Sequence, residues 1–587
     1  MMFSNENFPS TKERPHLSRH EATGLRVVSW SSLRNRAELL KGLAWSSAAA
    51  EPTDAQLLLE AWRRWGPGCA AHLLGEFAFV VTDTNTGQTY LARDPMGVKP
   101  LYYRISGDDV QHAFSAAAFA PGGAWQAEPD MDWAARYLLH LSDHTVNTAY
   151  QGVFKLPPGH WLCVGPGSAT RMERYFEFRD DAPPAKHRQE RWVEEYRSVL
   201  EEAIRCRMLP DGAMATENSG GIDSATITAY LARFLGTPGE RLHSFGFAMA
   251  EQEPAFILET SQAAGITHNY IVTGSYGEAR QDAVIARGLA VLGYPQEHGN
   301  AGAHTIFYRE CQLRGITALF SGFGGDEVVT NPGNLLRYEL LDAGDYRNLW
   351  DILPGDPVRR VLRMGKAVTM GRRSPAYRPT FFSAWNARWP HQLLRDDVVQ
   401  RLGLHEAYME TARFDAPYRR INDFILQYHL HRMQVTTRLE NCTLMAAAYG
   451  VDYRWPLWDV RLVQQYLSTP SIEKVGPRGI GRYLHRRAID GVVPKRVAWK
   501  PSKDMGYAAA HERHKTSGMI QTAEWARRHE AHLHPALQEL IDREKFKSQI
   551  ARALQGGADP GFDFSFHRAV NAIAWLNHWL YAGKMPG

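Results

Sequence analysis

Cysteine is scarce in this sequence, and what there is does not pair. Five cysteines serve 587 residues, at 69, 163, 206, 311 and 442, and no two stand as Cys-x-x-Cys. That spacing excludes a disulfide framework and an ordinary zinc site, and it fits a reducing cytosol. Excess charge is missing too: 67 Lys and Arg face 63 Asp and Glu, a formal charge of +4. So even a balance provides no field that calls for nucleic acid. The 24 histidines are scattered and include no His-Glu-x-x-His pair. No apolar run is long enough to span a membrane, and the polar opening MMFSNENFPSTKERPHLSRHE lacks a signal peptide's apolar core. These absences predict a soluble, cytoplasmic protein with neither membrane nor nucleic-acid partner. Tryptophan, by contrast, is plentiful at 17 residues, which reads as core packing.

The length allows two or more domains. Up to about residue 175, short alternating runs (FAFVVTD, QTYLARD, LYYRISG, HWLCVGP) are separated by TNTG, DPMG and PPG turns. Period-two alternation of this kind predicts antiparallel strands in stacked sheets. A helix is expected over Asp54 to Trp65, capped by Thr53. The tract Arg179 to Arg188, with its Pro pair, marks the boundary between a domain over 1–180 and another over 190–587. Beyond it strands and helices alternate, which predicts a parallel sheet covered on both faces. Past about residue 335 helices dominate. The terminal FHRAVNAIAWLNHWLYAG reads as a packed amphipathic helix.

Ser219-Gly220-Gly221-Ile222-Asp223-Ser224 carries the chemistry. A glycine turn feeds a helix N-terminus, whose N–H groups favour an anion such as a phosphate. Asp223 adds an oxygen ligand suited to Mg²⁺. A second glycine cluster, Gly324-Gly325-Asp326-Glu327, follows the strand-like ITALFSGF, and ligand crevices in such sheets lie beyond the strands' carboxyl ends.

Four segments in order resemble the asparagine synthetase superfamily: Leu74 to Phe79, Arg93 to Tyr102, Ser219 to Ser224, and Ser321 to Glu327. The resemblance spans most of the chain and implies a two-domain α+β and α/β fold. An N-terminal antiparallel sheet sandwich like class II glutamine amidotransferases (Ntn-type) would precede an ATP-pyrophosphatase α/β domain with a helical extension. It further implies ATP as substrate and Mg²⁺ at Asp223 and Asp326, with Ser219, Gly220, Gly221, Ser224, Gly324 and Gly325 around the phosphates. Phe245 and Phe247 are expected at the nucleotide pocket, with core packing as the rival reading.

One departure separates the branches. A class II glutaminase needs cysteine as its mature N-terminal residue. This chain opens Met1-Met2-Phe3 and its first cysteine is Cys69. The expectation is a scaffold domain in front, and an amine brought by the substrate.

Within the superfamily the chain looks most like lasso peptide cyclases. These adenylate an internal Asp or Glu of a precursor peptide and close a macrolactam with its N-terminal amine, releasing AMP and pyrophosphate. That likeness implies a precursor peptide, a leader-recognition protein and a leader-cleaving protease as partners. Two alternatives stay open: an asparagine or β-lactam synthetase-like enzyme acting on a small molecule, and a non-catalytic interaction protein. Asp452, in the segment Tyr449 to Asp459, resembles the family acid that positions or deprotonates the nucleophile, one methylene shorter. An ordinary buried acid paired with Arg454 is its other reading. A lysine near the α phosphate is expected at Lys503, with Lys500 as rival. Arg438 and Glu440 are weaker candidates for ion pairs or substrate contacts.

Overall fold

In the computed structural model the described residues are 17–581, apart from 23, 46–50, 143–144, 168, 249–250, 274–280, 299–300, 372–388, 413–417, 502–508 and 557–559. The alternating runs of the first part become nine strands. They are β1 (Leu17–Ala22), β2 (Leu25–Leu33), β3 (Gly75–Asp83), β4 (Thr89–Arg93), β5 (Tyr102–Ser106), β6 (Asp109–Ala113), β7 (Phe154–Lys155), β8 (His160–Val164) and β9 (Arg171–Arg174). Six form one antiparallel sheet in the order β1-β2-β3-β4-β8-β9, and β6-β5-β7 form a second. Alternation divides the central strand β3 between two cores. Ala78 and Val80 join Trp30 and Leu91 on one side, while Phe77, Phe79 and Val81 meet Leu57 and Leu58 on the other. Those leucines belong to helix Asp54–Trp65, which starts on a reciprocal cap. Thr53 Oγ1 accepts from Gln56 N–H (3.3 Å), and Gln56 Oε1 accepts from Thr53 N–H (2.8 Å).

After helix Glu190–Arg205 the winding changes. β10 (Met214–Glu217), β11 (Leu242–Ala248), β12 (His268–Thr273), β13 (Ala318–Phe320) and β14 (Asp452–Arg454) make an all-parallel sheet in the order β12-β11-β10-β13-β14. The chain builds outward from β10 in one direction, then returns to build the other way from β13. The switch point therefore lies between β10 and β13, where ligands bind in such sheets. β13 is shorter than its apolar run, because Ser321 already turns into the glycine loop. The terminal helix Pro560–Leu580 is core: Trp575 packs edge-on against Trp133 at 5.5 Å and Tyr150 at 6.1 Å. Among the described residues no helix is long and apolar enough to cross a membrane.

Buried ion pairs join the sheet sandwich to the parallel-sheet domain. Arg93 donates to Glu440 (2.6 Å), Lys155 contacts Glu297 and lies 3.3 Å from Glu440, and Lys99 donates to Asp452 (3.0 Å). Glu76 receives Arg34 (2.8 Å) and Arg207 (2.8 Å), and Arg207 also donates to Asp459 (2.6 Å). Burial alone would raise the Glu76 carboxyl, but the Arg207 and Arg34 guanidiniums outweigh it and hold it down to about 2. A depressed carboxylate stabilises the fold at pH above its unfolded value of 4.5, and that contribution is lost as pH falls toward about 2. Glu76→Gln should therefore lower the denaturation midpoint at pH 7. The gap to the parent should close progressively between pH 4.5 and 2.

Candidate active site

β10 and β13 end side by side, and each feeds a glycine loop. Asn218, fully buried, pins the first. Its Oδ1 accepts from Gly220 N–H (3.1 Å), and its Nδ2 donates to Ile257 O and Ser261 Oγ (both 3.2 Å). Gly220 sits at φ +67°, and a Cβ there would lie 2.7 Å from that of Phe256, so only glycine fits. The Ser219 and Ser224 hydroxyls meet at 3.1 Å. Helix Ile222–Leu235 then starts with no side chain capping it, leaving the positive end of its dipole for an anion. Lys500 Nζ donates to Gly220 O (2.8 Å), and burial lowers its ammonium from the ordinary lysine value.

The second loop lies directly on the first. A Cβ on Gly322 would come within 2.6 Å of Ser224 N, and one on Gly325 within 2.3 Å of the Asp223 carboxyl carbon. This close approach brings Asp223 and Asp326 to a common cation, the Arg482 guanidinium, at 3.3 Å from Asp223 Oδ2 and in contact with Asp326. Arg482 holds a left-handed backbone at φ +59°, and Thr330 Oγ1 donates to Asp223 Oδ1 (2.6 Å). Among the described residues no group of three or more His, Cys, Asp or Glu could hold a metal unaided. Two carboxylates beside the uncapped start of a helix nevertheless fit Mg²⁺, which takes few protein carboxylates and completes its shell with other oxygens and water. Gly324, at φ +109°, donates its N–H to Glu327 Oε2 (3.2 Å). Burial raises Glu327 despite the nearby Arg438, whose guanidinium stacks 3.7 Å over Phe323.

The two aromatic candidates separate. Phe245 is wholly buried between Tyr270 (5.1 Å) and Phe307 (5.6 Å) and belongs to the core. Phe247, two residues nearer the crevice, is half-buried beside His304 (5.6 Å). Lys503 lies outside the described residues. Asp452 is not brought to the loops. It opens β14 opposite Ala318, which pairs Met214, so it sits three residues before the end of β10, about 10 Å down the strand. Both its oxygens are engaged, by Lys99 (3.0 Å) and Arg454 (2.8 Å), the second being the pairing the sequence offers. Glu440 serves the domain interface.

Four site residues have no motif to announce them, Glu217, His304, Thr330 and Arg482, and Tyr453 stands unremarked inside the segment Tyr449 to Asp459. Glu217, at the end of β10, accepts from Ser321 Oγ (2.8 Å) and from Tyr453 Oη, and lies 2.6 Å from His304 Nδ1. An acid closing an otherwise apolar and small buried strand was a readable signal for Glu217 alone. The others arrive by tertiary packing.

Comparison with known proteins follows the same division. A model for asparagine synthase matches residues 195–580, and one for a glutamine amidotransferase domain matches 26–176. The chain is 23% identical to asparagine synthetase (glutamine-hydrolyzing) 1 of Bacillus subtilis, across 80% of this chain and 73% of that one. Asparagine synthetase (glutamine-hydrolyzing) 3 of the same organism is 22% identical across 88% and 80%. Amidase chry2 of Gibberella zeae is 25% identical, but the match spans only 47% of this chain and 42% of the amidase's length.

Proposed function

The chain belongs to the asparagine synthase family of ATP-dependent carbon–nitrogen ligases, and from that premise we propose that it adenylates a carboxylate and joins it to an amine that arrives with the substrate. The carrying observation is the meeting of two glycine loops at the switch point, with Asp223, Asp326, Arg482 and Lys500 around them. A carboxylate is a poor electrophile. Its oxygen attacks the α phosphorus, the bond to pyrophosphate breaks, and the leaving oxygens gather charge that must be met by fixed donors. The Ser219 and Ser224 hydroxyls and the uncapped start of helix Ile222–Leu235 would hold the phosphates, with Lys500 and Arg482 offsetting their charge. Asp223 and Asp326, which share Arg482, would hold Mg²⁺, which would supply charge neutralisation at the phosphates.

Thiol chemistry supports this amine source. Only two of the cysteines lie in the sheet sandwich, and burial pushes Cys69 up to about 12 and raises Cys163. A glutaminase nucleophile must be a thiolate, so neither suits the task.

The relatives' names favour a small acid, such as aspartate, as acceptor. A second reading is macrolactam closure between the N-terminal amine and an internal Asp or Glu of a precursor peptide, with a leader-recognition protein and a leader-cleaving protease as partners. It is favoured by helix Pro357–Lys366, where Val358, Val361 and Leu362 are each at least 60% exposed, an apolar ridge suited to a peptide or protein. Mass spectrometry separates the readings: loss of one water from a peptide supports macrolactam closure, and amidation of a free acid supports the small-molecule reading. On either, Lys500→Ala should weaken ATP-dependent pyrophosphate exchange by about 10- to 100-fold, the worth of one charge-assisted hydrogen bond. Unchanged exchange would remove Lys500 from the phosphate site.

A further inference from the structure

We propose that Glu217 is the group that receives the attacking amine and takes its proton, an assignment that rests on the amide-forming reading above. Glu217 is the last residue of β10, set between the pyrophosphate loop and the acidic loop. Its side chain keeps 13% of its surface exposed at the crevice end of the strand. Ser321, His304 and Tyr453 fix the carboxylate from the loop after β13, from the turn before helix Thr305–Leu313, and from β14. His304 Nδ1 also lies 3.1 Å from the Tyr453 hydroxyl, so the three groups form one cluster. Burial would raise the Glu217 carboxyl, but His304 and the three hydrogen bonds keep it below the usual carboxylate range. Burial and the Glu217 charge hold Tyr453 well above the phenol range, so the phenol remains a donor. The result is an oriented anion at the mouth of the crevice.

The alternative acid is turned away. Successive residues of a strand point to opposite faces. On β14, Tyr453 points to the face of Glu217 and Tyr308, its ring 5.6 Å from that of Tyr308, whereas Asp452 and Arg454 point to the face of Lys99. Asp452 therefore lies across the sheet, below the crevice, and clamped by two cations. Glu327, the other nearby acid, accepts the Gly324 N–H of its own loop and lies beside Arg438.

An amine reaches the site as an ammonium; it gives one proton to crevice water to become the attacking amine and keeps the second until the amide forms. Its nitrogen forms the N–C bond as the C–O bond to AMP breaks. AMP leaves with that electron pair, and the proton on nitrogen passes to the Glu217 carboxylate and then to crevice water. His304 and Tyr453 position Glu217 and do not themselves change protonation overall.

The test divides the reaction in two. Carboxylate-dependent ATP–pyrophosphate exchange reads adenylation, and amide formation reads the amine step. The probes are aspartate with ammonium chloride and a synthetic peptide with a free N-terminus and an internal Glu. Glu217→Gln should leave exchange within about threefold while amide formation falls by about 10²–10⁴, the usual worth of a general base. Hydroxylamine, largely unprotonated at neutral pH, should restore product formation as the hydroxamate. Glu217→Asp, which keeps the charge, and Tyr453→Phe, which keeps the carboxylate, guard against a folding defect and should each slow amide formation alone. Exchange and amide formation falling together, no rescue by hydroxylamine, or unchanged amide formation would each overturn the assignment. Absence of exchange with any probe in the unaltered protein would overturn the ligase reading beneath it.

Discussion

Asp223→Ala should lower substrate-dependent release of AMP and pyrophosphate by about 10²–10³ or more, the worth of a group that stabilises transition-state charge. Asp223 sits in the first turn of the helix that follows the first glycine loop, and Gly325 packs against its carboxyl carbon. It shares Arg482 with Asp326 and takes the Thr330 hydroxyl, so it is both the charged centre and the joint between the two loops. Removing it leaves Arg482 paired to Asp326 alone and takes away half of the carboxylate pair. Asp223→Asn keeps the shape and the Thr330 contact without the charge. If the role is electrostatic, Asn should be nearly as inactive as Ala while melting like the parent. Recovery of activity in Asn would make the role steric.

The second large effect is on stability. Glu440→Ala should cost about 3–5 kcal/mol, the range for removing one partner of a buried pair. Glu440 is wholly buried between Arg93 and Lys155 of the sheet sandwich, so its loss strands positive charge at the domain interface. Arg93 keeps three carbonyls, of Lys99, Leu156 and Gly97, but no carbonyl neutralises it. The urea midpoint should fall with little change in slope. Arg93→Met with Glu440→Leu should recover only part of the loss, because it removes the buried charge but takes their donor from the carbonyls of Lys99, Leu156 and Gly97. A Glu440→Ala protein as stable as the parent would mean that the two domains do not depend on this network.

What the sequence made legible was local. The Thr53 cap, the Ser219 to Ser224 turn and the strand over Gly75–Asp83 each declare themselves within a dozen residues, through capping chemistry, glycine and alternation. The two glycine loops were legible as partners because parallel-sheet topology sends both to one crevice. Contacts between distant residues were not. Lys99 and Asp452 are 353 positions apart, and no pattern around either predicts the other. The acid suggested by resemblance therefore lies in an interface clamp, while Glu217 gains its meaning only when His304 and Tyr453 fold against it. Phe245 and Phe247 share a strand face, yet two residues of depth make one core and leave the other beside the crevice.

The most direct test of the account is to assay the purified chain with ATP, Mg²⁺ and each acceptor probe, supplying nitrogen either as glutamine or as a free or substrate-borne amine. Nucleotides and acceptor would be followed together by mass spectrometry. The account predicts AMP and pyrophosphate with amide formed from the amine, and no glutamate released from glutamine. Glutamate release with glutamine-driven amide formation, or ADP and phosphate in place of AMP and pyrophosphate, would contradict it.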